Sequence, residues 1–178
     1  MTHHDSLQTT PRGRYRDVLR GPQRGVVVAR PPRSNAIVAD CRRVLAGLLG
    51  PGQALGIQGL AIGAGLSSWD GCGAPRATPA QTKLVDPKPY VIPASELAID
   101  FIEKGRVTKQ PTNELQIRAK LGADVPPWPD RGHRASSLRE FGLLGQLGGA
   151  QVLINYVTHP VIHKDRDTTL ERTIWLVF

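Results

Sequence analysis

Nowhere in the 178-residue chain is there a run of about 18 apolar residues, so no segment is expected to cross a membrane as a helix. The polar start lacks the apolar stretch of a secretory signal, so synthesis and folding are expected in a cytoplasm. Cysteine is nearly missing. Cys41 and Cys72 are too few for a disulfide scaffold, and neither belongs to a C-x-x-C or Cys/His cluster. Both are expected to be free thiols. Aromatic residues are scarce at 5%, against 19 Gly and 15 Pro. That balance argues against a helical bundle and for strands joined by many turns.

What is present is basic charge, unevenly placed. The formal net charge is +8, and residues 1–33 hold seven arginines against Asp5 and Asp17, a net +5. Apart from Val26–Ala29 this stretch shows no apolar periodicity, and prolines and glycines interrupt it. It reads as an extended basic arm, ordered against a partner, with Arg12, Arg14, Arg16, Arg20 and Arg24 as contact residues. An acidic protein neighbour or nucleic acid would each suit such an arm. The arginines are not interleaved with aromatics apart from Tyr15, so there is no base-stacking platform.

Residues 34–178 read as one domain. Ile37, Cys41, Val44, Leu45 and Leu48 fall on one helical face, Ser34 or Asn35 is a plausible N-cap, and Gly50-Pro51-Gly52 ends the run. The helix is therefore predicted over 35–49, with Cys41 in the core. The apolar, glycine-rich stretch 55–66 has no G-K-[ST] and reads as a strand. Residues 67–90 and 122–136 read as long loops, and Trp128 sits between prolines in the second. Strict alternation at Leu115, Ile117, Ala119 and Leu121 predicts a half-buried strand. Further strands are expected near 97–102, 137–144, 151–158 and 170–178. The fold class predicted is mainly β: an antiparallel sandwich or rolled sheet, one N-terminal α-helix packed on it, and the extended arm.

Chemistry is hard to find in these residues. His159 and His163 form H-x-x-x-H, but on a strand four residues span roughly 13 Å, too far for one metal ion. Ser67 and Ser68 do not lie in a G-x-S-x-G elbow. No catalytic residue, cofactor, metal or small-molecule substrate is assigned. Arg139 and Glu140 point to opposite faces of an apolar strand, so one of them must be paired or lie at an interface. Both are assigned, with Trp128, to partner binding.

Several segments together carry a resemblance over residues 34–178. They are Ser34-Asn35-Ala36-Ile37-Val38, Leu60-Ala61-Ile62-Gly63-Ala64-Gly65 followed by Trp69-Asp70, and Pro111-Thr112-Asn113-Glu114-Leu115-Gln116-Ile117. Leu138-Arg139-Glu140-Phe141-Gly142-Leu143, Tyr156-Val157-Thr158-His159-Pro160 and Leu170-Glu171-Arg172-Thr173-Ile174 complete the set. The set resembles small structural proteins of tailed bacteriophages and phage-tail-like particles. The R-E-F-G-L strand looks like one in tail-fibre and baseplate attachment domains. The resemblance implies a non-catalytic β-rich component of a virion or tail-like particle: baseplate, fibre root or neck. It implies a homo-oligomer that docks on other tail or baseplate proteins. The alternative is a nucleic-acid-binding accessory protein using the basic arm.

Overall fold

A computed structural model of the chain describes residues 10–23 and 25–178. Arg24, one of the expected contact residues, lies outside them. The elements in chain order are β1 (Arg12–Arg20), β2 (Val26–Ala29), β3 (Arg33–Ile37), α1 (Ala39–Leu49), β4 (Ala54–Gly63), the single turn α2 (Trp69–Cys72), and β5 (Tyr90–Pro93). A 3-10 turn (Ala94–Glu96) leads to β6 (Ala98–Glu103), β7 (Arg106–Thr108) and β8 (Glu114–Leu121). Then come β9 (Ser137–Leu147), β10 (Ala150–Leu153), β11 (Asn155–His163) and β12 (Thr169–Val177). Strand accounts for 49% of the chain and helix for 11%, so the mainly-β expectation holds.

The strands form one antiparallel sheet in the order β5-β4-β9-β11-β3-β1-β12-β8-β6-β7, with β10 on β9 and β2 on β1. Alternation explains the outer strands. In β8, Ile117, Ala119 and Leu121 are buried while Arg118 and Lys120 are exposed. In β12, Leu170, Arg172, Ile174 and Leu176 are buried and the intervening residues are half-buried. β9 is different: Ser137 to Gly145 are buried without interruption. Its one face joins the main core with Leu60, Ile62, Ile117 and Ile174. A second, smaller cluster forms around Leu144, with Val38, Ala61, Leu84, Leu153 and Tyr156. The main core draws on β1, β4, β8, β9, β11 and β12 alike.

Two expectations need correction. Residues 12–20 are not an arm that waits for a partner. They form β1, inserted between β12 on one side and β3 and β2 on the other. Gly13, Tyr15, Asp17 and Leu19 are buried, and Arg12, Arg14 and Arg16 are exposed. The period of two is there, but it is written with a glycine and an aspartate at inward positions, so it does not read as apolar alternation. The helix is also shorter than its apolar stripe, and it is not N-terminal in the fold, because three strands precede it. Asn35 pairs with Gly13 in β1, and Ala36 and Ile37 pair with β11, so ladder hydrogen bonds claim the residues that could have opened the helix. The N-cap is Val38, without a side-chain cap, and the loop carbonyl of Pro79 accepts from Ala39 N at 2.8 Å instead. Cys41 and Val44 are buried against the sheet, whereas Leu48 is 51% exposed because the last helical turn overhangs it.

The segment 64–90 carries little regular structure. It is pinned to β9 at a close approach. Gly65 adopts φ +57°, and a Cβ there would stand 2.6 Å from the Trp69 ring and 3.0 Å from Arg139 Cβ. Only glycine allows both the turn and that contact.

Candidate functional site

Three polar constellations could carry chemistry. The first grows from the Arg139-Glu140 pair. Glu140 is fully buried, and its carboxylate accepts from Val85 N (3.0 Å), Asp86 N (2.6 Å) and the Tyr156 hydroxyl. Burial, and then the hydrogen bond to Glu140, raise the Tyr156 pKa above its ordinary value, so the phenol remains a donor. Asp86 in turn accepts from Ala64 N (2.7 Å) and Lys88 N (2.8 Å) and lies 3.0 Å from His133 Nε2. His133 Nδ1 lies 2.8 Å from Asp130, and the ring stacks on Trp128 at 3.8 Å between centroids. On the other side of the strand, Arg139 donates to both oxygens of Asp70 (2.8 and 2.7 Å) and to Ala64 O (2.9 Å).

Trp128, Arg139 and Glu140, expected at a partner surface, are therefore spent inside the chain. Their relative exposures are 4%, 7% and 0%. The reason is that the 67–90 loop folds back over β9 and brings Val85 N, Asp86 N and Asp70 to its charges, while His133 of the second loop closes on Asp86. The strand supplies charge and the loops supply the partners. Glu140 and Asp86 each hold three hydrogen-bond partners, so this network orders the loops.

The second constellation is the Asp17–Arg172–His159 group. Arg172 Nε and Nη2 donate to Asp17 at 2.7 and 2.9 Å, and Nη2 lies 3.1 Å from His159 Nε2. The guanidinium sits 3.7 Å over the Phe141 ring centroid. Burial pushes the Asp17 carboxyl up, but the charge and hydrogen bonds of Arg172 win and hold it below its ordinary value. Burial, with the Arg172 charge added, drives the His159 pKa down to about 3, so the ring is a neutral acceptor. His163, the other half of H-x-x-x-H, faces elsewhere: its Nδ1 lies 3.0 Å from Ser137 Oγ. Among the described residues no group of three or more His, Cys, Asp or Glu side chains is placed to hold a metal ion.

The third feature is a cleft of about 1360 Å³ between the N-terminal end of β1, the C-terminal end of β12, β3, the start of β11, the start of α1 and residues 74–79. Arg12 and Arg14 line it, together with Arg42 and Arg76, which sequence reasoning did not single out. Three other described arm arginines, Arg20, Arg30 and Arg16, lie elsewhere. Arg20 bonds Glu171 at 2.9 Å across the β1/β12 pair, and Arg30 donates to the carbonyls of Pro160 and Val161 on β11. Arg16 is exposed on β1 opposite Thr173. Arg42 was visible only as a charge off the helical stripe, and nothing local connects Arg76 to it. Arg12 and Arg14 share one face of β1, and the tertiary fold brings Arg42 of α1 and Arg76 of the 74–79 segment to them.

Comparison of the chain with protein-family models, with curated proteins and with solved structures returned no match.

Proposed function

We propose that the protein is a non-catalytic structural component of a phage tail or tail-like particle, made in the bacterial cytoplasm and acting by self-assembly and docking. The observation that carries this reading is β2. The strand pairs only with β1 among the described residues, and Val26, Val27 and Val28 are 55%, 61% and 41% exposed. A strand edge with unpaired backbone groups and apolar side chains is a ready template for another chain, and monomeric proteins protect such edges. Beside it lies a pocket of about 450 Å³ with Leu19, Pro22, Val27, Val28 and Ile162 in its walls. The resemblance of residues 34–178 to tail and baseplate components supplies the kind of particle.

In this reading the sheet is folded over into two layers joined through β3, a sandwich with α1 against one layer. Tyr15 of β1 meeting Phe141 of β9 edge-on at 5.1 Å supports it, because two strands separate them in the sheet. The polar networks at Glu140 and Asp17 then serve rigidity, which a scaffold under load requires.

Two measurements test the proposal. Mass spectrometry of purified particles from the source cells should find the chain in several copies per particle. Analytical ultracentrifugation should show concentration-dependent self-association, weakened by Val27→Lys. A protein that stays monomeric at every concentration and is missing from particles refutes it.

A further inference from the structure

The basic cleft is not used by either polar network, and its lining has an unusual charge balance. Arg12, Arg14, Arg42 and Arg76 come from β1, α1 and the 74–79 segment, and among the described residues that line it there is no Asp or Glu. All four side chains are exposed, and among the described residues none forms an ion pair. Four like charges converging on one concavity repel each other and focus a positive potential there. Asp40, the nearest acid in sequence to Arg42, is engaged by Arg43 at 3.2 Å.

The wall between these arginines is not open surface. Ser34, Ala36, Trp175 and Val177 line it beside Arg12 and Arg14, whereas the Asn35 amide lies on the opposite, buried side against Gly13. Val38, Val157 and Val177 supply apolar wall nearby.

We infer that this cleft receives an acidic segment of a neighbouring polypeptide, whose carboxylates meet Arg12, Arg14, Arg42 and Arg76. The inference deepens the assembly reading by naming the chemistry of one docking partner. Size favours a polypeptide over a small ligand, because the cleft exceeds the roughly 300–1,000 Å³ usual for small-molecule sites. The lining favours it over nucleic acid. Tyr156 is buried with its hydroxyl on Glu140, so Trp175, half-buried, is the one aromatic left to stack a base. Sequence-tolerant binding of single strands relies on successive aromatic platforms. Guanidinium forks suit carboxylates held in a bounded groove.

The test uses the full chain and fluorescence polarisation at fixed, physiological ionic strength. The probes are a labelled deca-glutamate peptide, a deca-glutamine peptide and a ten-nucleotide oligo-dT. The expected result is that deca-glutamate binds and deca-glutamine does not. Arg12→Gln/Arg42→Gln/Arg76→Gln should weaken binding roughly tenfold or more. Arg106→Gln/Arg131→Gln/Arg134→Gln removes the same charge from exposed positions outside the cleft and should change binding less than twofold. Equal loss in both triple variants, tighter binding of oligo-dT than of deca-glutamate, or no binding of deca-glutamate overturns the inference. Ultracentrifugation and particle composition report separately on the assembly reading. A chain present in particles that ignores the acidic peptide refutes the cleft alone. A monomer missing from particles that still binds the peptide through the cleft refutes the assembly reading alone.

Discussion

Acidification should destabilise this protein through one histidine. His159 is held neutral in the folded chain, with a pKa of about 3, against 6.5 when unfolded. A depressed folded pKa means that the unfolded chain binds the proton first, so stability is full above pH 6.5 and falls as the pH drops through the window down to about 3. At pH 5 the unfolded histidine is almost wholly protonated and the folded one is not, which costs about 2 kcal/mol relative to pH 7.5. That figure depends on the unfolded value and changes little for any folded pKa below 4. Asp17 adds its own acid lability, because its carboxyl is held below its ordinary 3.8, but that acts only further down. For a domain of this size, 2 kcal/mol corresponds to a Tm lower by about 4–8 °C. The assay is urea unfolding at pH 7.5 and pH 5 for the wild type and His159→Gln, in which the glutamine still accepts from Arg172 but cannot titrate. The variant should lose about 2 kcal/mol less than the wild type between the two pH values. An NMR titration of the His159 ring should show no protonation down to pH 4.5. Equal losses in both proteins, or a ring that titrates near 6.5, would show that burial beside Arg172 does not hold it neutral.

Further outcomes follow from the same contacts. Glu140→Ala should cost at least about 3 kcal/mol, because Val85 N, Asp86 N and the Tyr156 hydroxyl lose their acceptor together. Residues 75–90 should then become the first site of limited proteolysis; unchanged protection there would contradict the role given to Glu140. Cys41, whose pKa burial raises to about 11, should react slowly with a thiol reagent in native protein, while exposed Cys72 reacts fast. Mass mapping that finds Cys41 labelled first would place it outside the core. Deleting residues 174–178 and deleting residues 1–24 should each give insoluble or unfolded protein, since the first truncates β12 and the second removes its neighbour β1. A soluble, cooperatively melting product of either deletion would make that pair of strands peripheral.

Much of the β architecture is legible in the residues, because strands half-open to water advertise themselves. β8 alternates without a break, β12 carries Leu170, Ile174 and Leu176 on one side, and the glycine-rich run at β4 is apolar enough to be a strand. The helical stripe at Cys41, Val44 and Leu45 is equally plain. What stayed hidden is whatever depends on a partner far away in sequence. Asp17 looks like a loop residue until Arg172, 155 positions later, is seen to satisfy it. Trp128 looks stranded among prolines until His133 stacks on it and the loop closes over the core. Ser34 to Ile37 have the composition of a helix start, and only the pairing of Asn35 with Gly13 and of Ile37 with Asn155 turns them into a strand. The cleft is the extreme case, since nothing local ties Arg42 or Arg76 to Arg12 and Arg14.

The register of β1 against β12 has a mechanical corollary. Arg12 lies opposite Val177 and Arg20 opposite Thr169, so the first described strand and the last lie side by side with the outer ends of both at one edge. A force that draws those two ends apart opens the ladder from that edge like a zipper, loading one of its nine pairs at a time. A force applied at Arg20 against Val177 would instead shear all nine at once and meet far greater resistance. Tension passed along this chain would therefore be borne well in one direction and poorly in the other, and the weak direction opens the rim where Arg12 stands.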